Sequence, residues 1–573
     1  MGTFGAQRFI PSVIRPGAFT RVHSPGYYSQ PVQGKSATEF SELHMNVPLT
    51  PIRCLYRAVD LYGKKIGVVS GSNSFTYAQF GERCEQLAAG LLSEGIRPGE
   101  RVAYLSFNNH QLLEGYYGPP LVRAIAMPLN VRLQCAELKA ILNHADASML
   151  MFESEFAPLI QELRKLCPGI KRYVTIDQPV AQADLFLEDL LGRDRISRPQ
   201  IFSFDENEIA ELFYTSGSTG TPKGVMLSHR TLYIHALNLL ASFSCQDTDV
   251  ELHTIPLFHA NGWGRPQSIT MSGARHVMVR RFEPSQVLRL IQDEKATGMT
   301  LVPTMANALL NYPELHKFDT SSMRVITMGG AASSPEIITR LEQAFRCEVS
   351  SGYGLTETSP VITTAQTKGT VACGDESERL MRLAAAGWPL VGCEVHVVDS
   401  QMRAVPRDRE TVGEIVVRGD NVMDGYYKEP DATQAALTEG WLRTGDMAVW
   451  DDENYIYIVD RKKDIIISGG ENISSIEVEK AIFAHPAVLE CAVVSAPDEQ
   501  WGEIPVAIIV LKENQELNSE QLISFLKCRI AKYKMPRRMN FVRVPLPKTG
   551  TGKILKRELR ERFWAGKDTR VQG

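Results

Sequence analysis

From about residue 48 to residue 460, short apolar runs alternate with amphipathic helical segments. This alternation constrains the fold more than any other feature. Strands interleaved with helices build a mostly parallel sheet that needs helices on both faces. One unit illustrates the pattern. The run RVITMGG is β-rich and ends in glycines, and SSPEIITRLEQAF follows almost at once. In the second segment Ser333 is expected to cap a helix, Pro335 suits its first turn and Glu336 can close a capping box. Ile337, Ile338, Leu341 and Phe345 then fall on one apolar face. CEVSSGYGLTET returns to an extended run broken by a glycine-rich loop. In sheets of this kind ligands sit beyond the carboxyl ends of the strands.

At 573 residues the chain exceeds what one hydrophobic core usually supports, so two or more folding units are expected. The pattern changes near IVDRKKDIIISGGEN, where charged residues cluster from Asp460 to Asp464. Beyond it the chain reads as helix (Ser475 to Phe483), strand (AVLECAVVSA), strand (IPVAIIVLK), helix (SEQLISFLKCRIA), strand (MNFVRV) and helix (ILKRELRERF). That is a compact α+β unit with its own core. The expected division is an extension at 1–44, a large unit at 45–462 and a small unit at 463–573. The charge cluster is read as a boundary and hinge, with an ordinary charged surface turn as the competing reading.

The net charge of −4 gives no sign of a nucleic-acid partner. Ten cysteines lie between Cys54 and Cys528 without a CxxC pair, which reads as reduced thiols in a reducing compartment. No apolar run reaches the roughly 18 residues of a membrane span. The first forty residues carry Arg8, Arg15, Arg21 and Lys35 and no acid before Glu39, but Pro11, Pro16 and Pro25 interrupt any amphipathic helix. Disorder and an organelle-targeting presequence both fit. The expected location is cytoplasmic, or mitochondrial if the N-terminus is a presequence.

Four stretches carry candidate chemistry. YTSGSTGTPKGV, Tyr214 to Val225, lies between a strand-like EIAELF and a helix-like segment opened by Ser228. Strand, glycine-rich loop and helix form the local architecture of many phosphate sites. It is not a P-loop, because Lys223 follows Pro222 and precedes Gly224 rather than Ser or Thr. Thr215, Ser216, Ser218 and Thr219 supply hydroxyls, and the glycines let backbone N–H groups approach an anion. PKTGTGKILKREL places Lys553 on a glycine-threonine loop at a helix entrance, from which it can be delivered to a site and withdrawn. YGLTET, Tyr353 to Thr358, joins an aromatic face, a hydroxyl and Glu357, a hard oxygen ligand suited to magnesium. GWLRTGD ends at Asp446, a carboxylate able to chelate ribose hydroxyls or to cap a helix. Taken singly, each also reads as a linker, a solvated lysine, a polar turn or a cap.

Taken together in chain order, YTSGSTGTPKG, YGLTET, GWLRTGD, DRKKDIIISGGENIS and PKTGTGK resemble the signatures of the adenylate-forming superfamily. That group includes acyl-CoA synthetases, nonribosomal adenylation domains and firefly-type luciferases. The resemblance covers essentially the whole chain after about residue 45. It implies an α/β fold: a large N-terminal domain of parallel-type sheets layered with helices, a distorted β-barrel subdomain, and a small mobile α+β C-terminal domain. It implies a carboxylate attacking the α-phosphate of ATP to give acyl-adenylate and pyrophosphate, after which the thiol of coenzyme A displaces AMP. A carboxylate is already a nucleophile, so the site needs charge neutralisation and positioning rather than a catalytic triad.

By this resemblance Thr215, Ser216, Gly217, Ser218, Thr219, Gly220 and Lys223 hold the β,γ-phosphates, and Thr356 and Glu357 serve phosphate and magnesium. Gly330, Ala331, Ala332, Gly352 and Tyr353 line the adenine, while Asp446 and Arg461 bind ribose. Lys553 bridges the α-phosphate and the acyl carboxylate, and the small domain then turns about Lys463. The turn presents Gly469 and Gly470 to the pantetheine arm, with Trp501 beside it. Lys534, Arg537 and Arg538 meet coenzyme A phosphates or form a solvated basic face. His259 gates the acyl pocket, which Trp263, Thr304 and Gly329 help to build. A floor formed by Trp263 favours a short or medium acid, as in the medium-chain acyl-CoA and methylmercaptopropionate-CoA ligase branch. The implied partners are a carboxylic acid, ATP and coenzyme A; a dimer is left open. The rival functions are a stand-alone adenylation enzyme that loads a carrier protein, luciferase-type oxygenation, and a non-catalytic acyl- or nucleotide-binding protein. The charged set Lys223, Glu357, Asp446 and Lys553 argues against the last.

Overall fold

A computed structural model of the protein describes residues 46–192, 195–215, 222–331, 333–371, 374–469, 471–527, 529–548 and 554–565. Ser216, Gly217, Ser218, Thr219, Gly220, Ala332, Gly470 and Lys553 lie outside the described residues.

Two large sheets carry the first part of the chain, with nine and eight strands. In the nine-stranded sheet Ile66–Ser70, Arg275–Met278, Val250–His253, Gly298–Leu301, Val325–Met328 and Glu348–Gly354 run parallel in that spatial order. In the eight-stranded sheet Ile209–Thr215, Ile125–Pro128, Arg101–Leu105, Ala147–Phe152 and Arg172–Thr175 form the parallel centre. Central strands such as Ala147–Phe152 are buried along their whole length, as strands covered on both faces must be. Antiparallel strands stand at three of the four edges, and Leu185–Phe186 pairs parallel at the fourth. A third, antiparallel sheet joins Glu394–Val398, Gly413–Arg418, Trp441–Trp450, Leu437–Thr438 and Ile456–Arg461. It occupies the place expected of the barrel subdomain, as an open sheet rather than a closed one.

The last sheet belongs to the small C-terminal unit. Gly502–Leu511 pairs antiparallel with Val488–Asp498 and parallel with Arg538–Val542. The helices Ser475–Phe483, Ser519–Leu526 and Lys556–Trp564 accompany it. Two apolar clusters, centred on Val493 and Val494, draw all their members from Ile466 onward, so this region has a core of its own.

Three local expectations need correction. A strand, Lys223–Ser228, separates the glycine-rich loop from the helix His229–Phe243, and it pairs back onto Ile209–Thr215 with Thr215 opposite Lys223. The loop therefore joins two paired strands, not a strand and a helix. Ser228 does cap the helix, accepting from the Thr231 N–H. The helix Pro335–Phe345 is capped by Ser334, which accepts from the Ile337 N–H, and not by Ser333, whose side chain turns inward and is buried. With the cap one residue later, Glu336 stands too early in the helix to reach back, and no capping box forms. The helix expected over SEQLISFLKCRIA ends at Leu526, where the chain tightens and Ile530 folds back into the same apolar cluster.

Candidate active site

Thr215 closes the strand Ile209–Thr215 and Lys223 opens its partner, while the YGLTET turn opens at the carboxyl end of Glu348–Gly354. Lys223 and Glu357 meet through a tyrosine that the motif reading missed. Gly425–Tyr426 pairs with Val225 and Met226, which sets Tyr426 beside Lys223 and the YGLTET turn. The Lys223 ammonium lies 4.9 Å from the centroid of the Tyr426 ring, and the Tyr426 hydroxyl donates to Glu357 at 2.8 Å. Burial, and next the Glu357 carboxylate, push the Tyr426 phenol well above its ordinary range. Thr356 is buried in the same turn.

Tyr353, Asp446 and Arg461 form a second cluster. Asp446 and Arg461 face each other on the paired strands Trp441–Trp450 and Ile456–Arg461. The Arg461 Nε lies 2.7 Å from one Asp446 oxygen, and the Tyr353 hydroxyl donates to the other at 2.6 Å. Asp446 stands in mid-strand and caps no helix. Burial and the Asp446 carboxylate hold the Tyr353 phenol far above its ordinary value.

A third cluster surrounds Trp263. Ala260, Asn261, Gly262, Trp263 and Gly264 take φ values from 46° to 71°, a full left-handed turn. Non-glycine residues disfavour that region by about 1–2 kcal/mol each. The turn carries the Trp263 indole onto Gly329 and Gly330. A Cβ at Gly329 would lie 2.3 Å from Cη2 of the indole, so only glycine fits there. Gly330 itself has φ +73°. Trp263 packs in an apolar cluster with Leu239, Ile255, Ala260, Val361 and Leu390. His259 is half-buried at the entry to the turn, and Thr304 is exposed on the first turn of the helix Pro303–Leu310.

Lys463 lies in the short connection between Ile456–Arg461 and Ile466–Ser468. Burial holds its ammonium below the ordinary lysine value. Arg560, from the last helix, donates to the Lys463 carbonyl at 3.0 Å and pairs with Asp464 at 2.5 Å. On the other side of this connection the Asp460 carboxylate accepts from the N–H and hydroxyl of Ser475 at 2.5 and 2.6 Å. In the small unit Trp501 packs on Gly469, where φ is +60° and a Cβ would lie 2.6 Å from the indole. The Arg537 guanidinium stacks on Trp501 at 4.7 Å, and Arg538 is exposed. Lys534 is not a free cation, since its ammonium bridges both oxygens of Glu477 at 2.7 Å.

Among the described residues no group of three or more His, Cys, Asp or Glu is placed to hold a metal ion. Glu357 is a single carboxylate, which suits an ion that keeps its waters and arrives on phosphates. The eight described cysteines are unpaired thiols, and no described helix is long and apolar enough to cross a membrane.

This arrangement of sheets and clusters is that of an adenylate-forming enzyme, and comparison with known proteins agrees. The chain matches the AMP-binding enzyme family over residues 55–427 and the AMP-binding enzyme C-terminal domain over residues 477–553. It belongs to this family. A long-chain-fatty-acid–CoA ligase of Thermus thermophilus is 36% identical over 93% of this chain and 99% of its own. A peroxisomal butyrate–CoA ligase of Arabidopsis thaliana is 36% identical over 90% of this chain and 93% of its own. ATP-bound MatB from Rhodopseudomonas palustris superposes with a TM-score of 0.80 at 26% identity, covering 90% of this chain and 99% of that one. Within the family the chain is an AMP-forming acid–CoA ligase.

Proposed function

We propose that the acid activated by this ligase is a short- or medium-chain carboxylic acid. The relatives alone do not choose, because their names span butyrate and long-chain fatty acids. The observation that carries the reading is the Trp263 indole lying across Gly329 and Gly330 within a closed apolar cluster. A rigid indole at that depth shortens the space open to an alkyl chain while keeping its walls apolar.

The two clusters of polar residues divide the nucleotide between them. Thr215, Lys223 and the loop between them face the β,γ-phosphates, with Tyr426 holding Lys223 and Glu357 in register. Asp446, oriented by Tyr353 and Arg461, accepts from the ribose hydroxyls. A bound magnesium ion neutralises phosphate charge, and Glu357 is the residue that would hold it. In the first step the acid's carboxylate oxygen bonds to the α-phosphorus and the bond to pyrophosphate breaks. In the second the sulfur of coenzyme A bonds to the acyl carbon and the bond to AMP breaks. Lys553 serves the first step from the small unit, taken as residues 463–573, and leaves by rotation about Lys463 for the second. The separate core beyond Ile466 supports that division.

Acid-dependent exchange of labelled pyrophosphate into ATP, over acids from acetate to palmitate, tests the reading. Exchange should peak at short or medium chains, and Trp263→Gly should move the peak to longer ones. A palmitate optimum in the wild type, or an unmoved profile in the variant, would remove the assignment.

A further inference from the structure

Asn261 stands inside the left-handed turn, between Ala260 and Trp263, and it is 1% exposed. Neither its Oδ1 nor its Nδ2 has a hydrogen-bond partner among the described residues. A buried amide with both ends unmatched is costly and is rarely kept without a use. The backbone raises that cost, because Asn261 sits at φ +53° in a run of five left-handed residues. The turn advances about three residues per revolution, so Asn261 shares a side with Gly264. Gly264 lies against the His235 ring, one turn before Leu239 on the same helix. Leu239 and Trp263 belong to one apolar cluster. Ala260 and Trp263, which flank Asn261 in this turn, both belong to that cluster, so Asn261 stands at its border.

Two polar groups of the adjoining helix are paired. His235 Nε2 accepts from the Val361 N–H at 3.1 Å, and the Asn238 amide meets Cys393. Asn261 remains as an unmatched donor and acceptor in a turn whose Ala260 and Trp263 pack in an apolar cluster. An apolar pocket with one or two placed polar groups uses them to orient and select its ligand. A site built to hydrogen-bond a substrate oxygen also rejects the alkyl isostere, whose binding leaves the amide buried and unmatched.

We propose that Asn261 is a specificity residue that reads a hydroxyl or oxo group on the acyl chain, so that the preferred substrates are short oxygenated carboxylic acids. This rests on the short- and medium-chain reading and narrows it. The Nδ2 amide donates to an oxo or hydroxyl oxygen, and Oδ1 accepts from a hydroxyl. Both contacts are to the acyl chain and not to the reacting carboxylate.

Matched acids of equal shape test the inference by pyrophosphate exchange: 3-hydroxybutyrate against 3-methylbutyrate, and 4-oxopentanoate against 4-methylpentanoate. In the wild type kcat/KM should favour at least one oxygenated acid over its alkyl partner by about 10- to 100-fold. Asn261→Leu, of similar volume, should bring that ratio close to one. The wild-type ratio requires no variant, so it stands even if Asn261→Leu fails to fold. A wild-type ratio at or below one for both pairs would overturn the inference. So would a variant that loses activity on both members of a pair equally, which is the mark of a structural side chain. Absence of exchange with every short acid would instead defeat the chain-length reading, so the two failures are distinguishable.

Discussion

The hydroxyl of Tyr426 donates to Glu357 at 2.8 Å while the Lys223 ammonium rests over the ring of the same tyrosine. One side chain thus ties together two charged groups from separate turns. Tyr426→Phe keeps the ring under Lys223 and removes only the bond to Glu357. A hydrogen bond to a charged group is worth about 1.5–3 kcal/mol, so pyrophosphate exchange should slow by about 10- to 100-fold. Transfer of preformed acyl-adenylate to coenzyme A should change far less. Equal losses in the two half-reactions would reduce Tyr426 to a structural support.

Asp446 ties Tyr353 to Arg461, and its side chain is only 6% exposed. Asp446→Asn keeps the shape and removes the charge that both neighbours address. Breaking a buried pair from one side costs about 3–5 kcal/mol when both members are buried, and less here because Arg461 is partly exposed. The expected outcome is a KM for ATP raised by about tenfold or more, with a lowered melting temperature. Tyr353→Phe should do the same more weakly, having lost one hydrogen bond. An unchanged KM for ATP in Asp446→Asn would separate this carboxylate from the nucleotide.

The elements were largely legible in the sequence, because period-2 and period-3.6 patterns and glycine breaks are local signals. The helix Ser475–Phe483 falls where its pattern places it, and the strands on either side of Gln500 do too. Local reading failed where the deciding partner was distant. Lys223–Ser228 looked like the tail of a loop because it is held by Ile209–Thr215 on one side and by Gly425–Tyr426 on the other. Tyr426 lies 69 residues from Glu357, and Arg560 lies 97 from Lys463. Neither stands in a motif that names its partner. Asn261 was in plain view within PLFHANGWG, but an unmatched amide is a property of three-dimensional surroundings. The cap at Ser334 was missed by one residue because two serines adjoin and only burial separates their roles.

Arg560 holds the Lys463 carbonyl and the Asp464 carboxylate together, from a helix that begins three residues after Lys553. If the small unit turns at Lys463, this guanidinium constrains the backbone that must rotate. Arg560→Lys keeps the charge, but its shorter side chain does not carry a nitrogen to the position of Nη1, which alone serves both acceptors. The overall turnover should fall, with the ratio of the two half-reaction rates shifted by severalfold. Lys553→Ala gives the contrasting pattern: adenylation falls by orders of magnitude, and transfer from preformed acyl-adenylate persists. Separate single-turnover assays of the two steps distinguish these cases. Arg560→Lys with both steps slowed alike, and a reduced melting temperature, would make the contact one of packing alone.

Buried histidines predict an acid limb in stability. His253 Nε2 meets His276 Nδ1 at 2.9 Å, and His276 Nε2 meets the Thr270 hydroxyl at 3.0 Å, all within the layer beside the nine-stranded sheet. Burial holds His253 down to about 3 and His276 well below its ordinary value of 6.5. Protonation therefore favours the unfolded chain, where histidine titrates near 6.5. The stabilising contribution is complete above that pH and is lost as pH falls toward 3, at up to about 1.4 kcal/mol per pH unit for each such group. Buried carboxyls with raised values act in the opposite sense; burial lifts Glu114 to about 7 and Glu211 well above its ordinary value. Comparing His253→Gln with the wild type cancels them, because they are common to both proteins. The glutamine amide can still meet His276, so the fold should survive. Denaturant unfolding between pH 7 and pH 4.5 should then give a shallower loss of stability in the variant, by up to about 1.4 kcal/mol per pH unit. Parallel curves would mean that His253 is protonated in the folded protein without penalty, contrary to its burial.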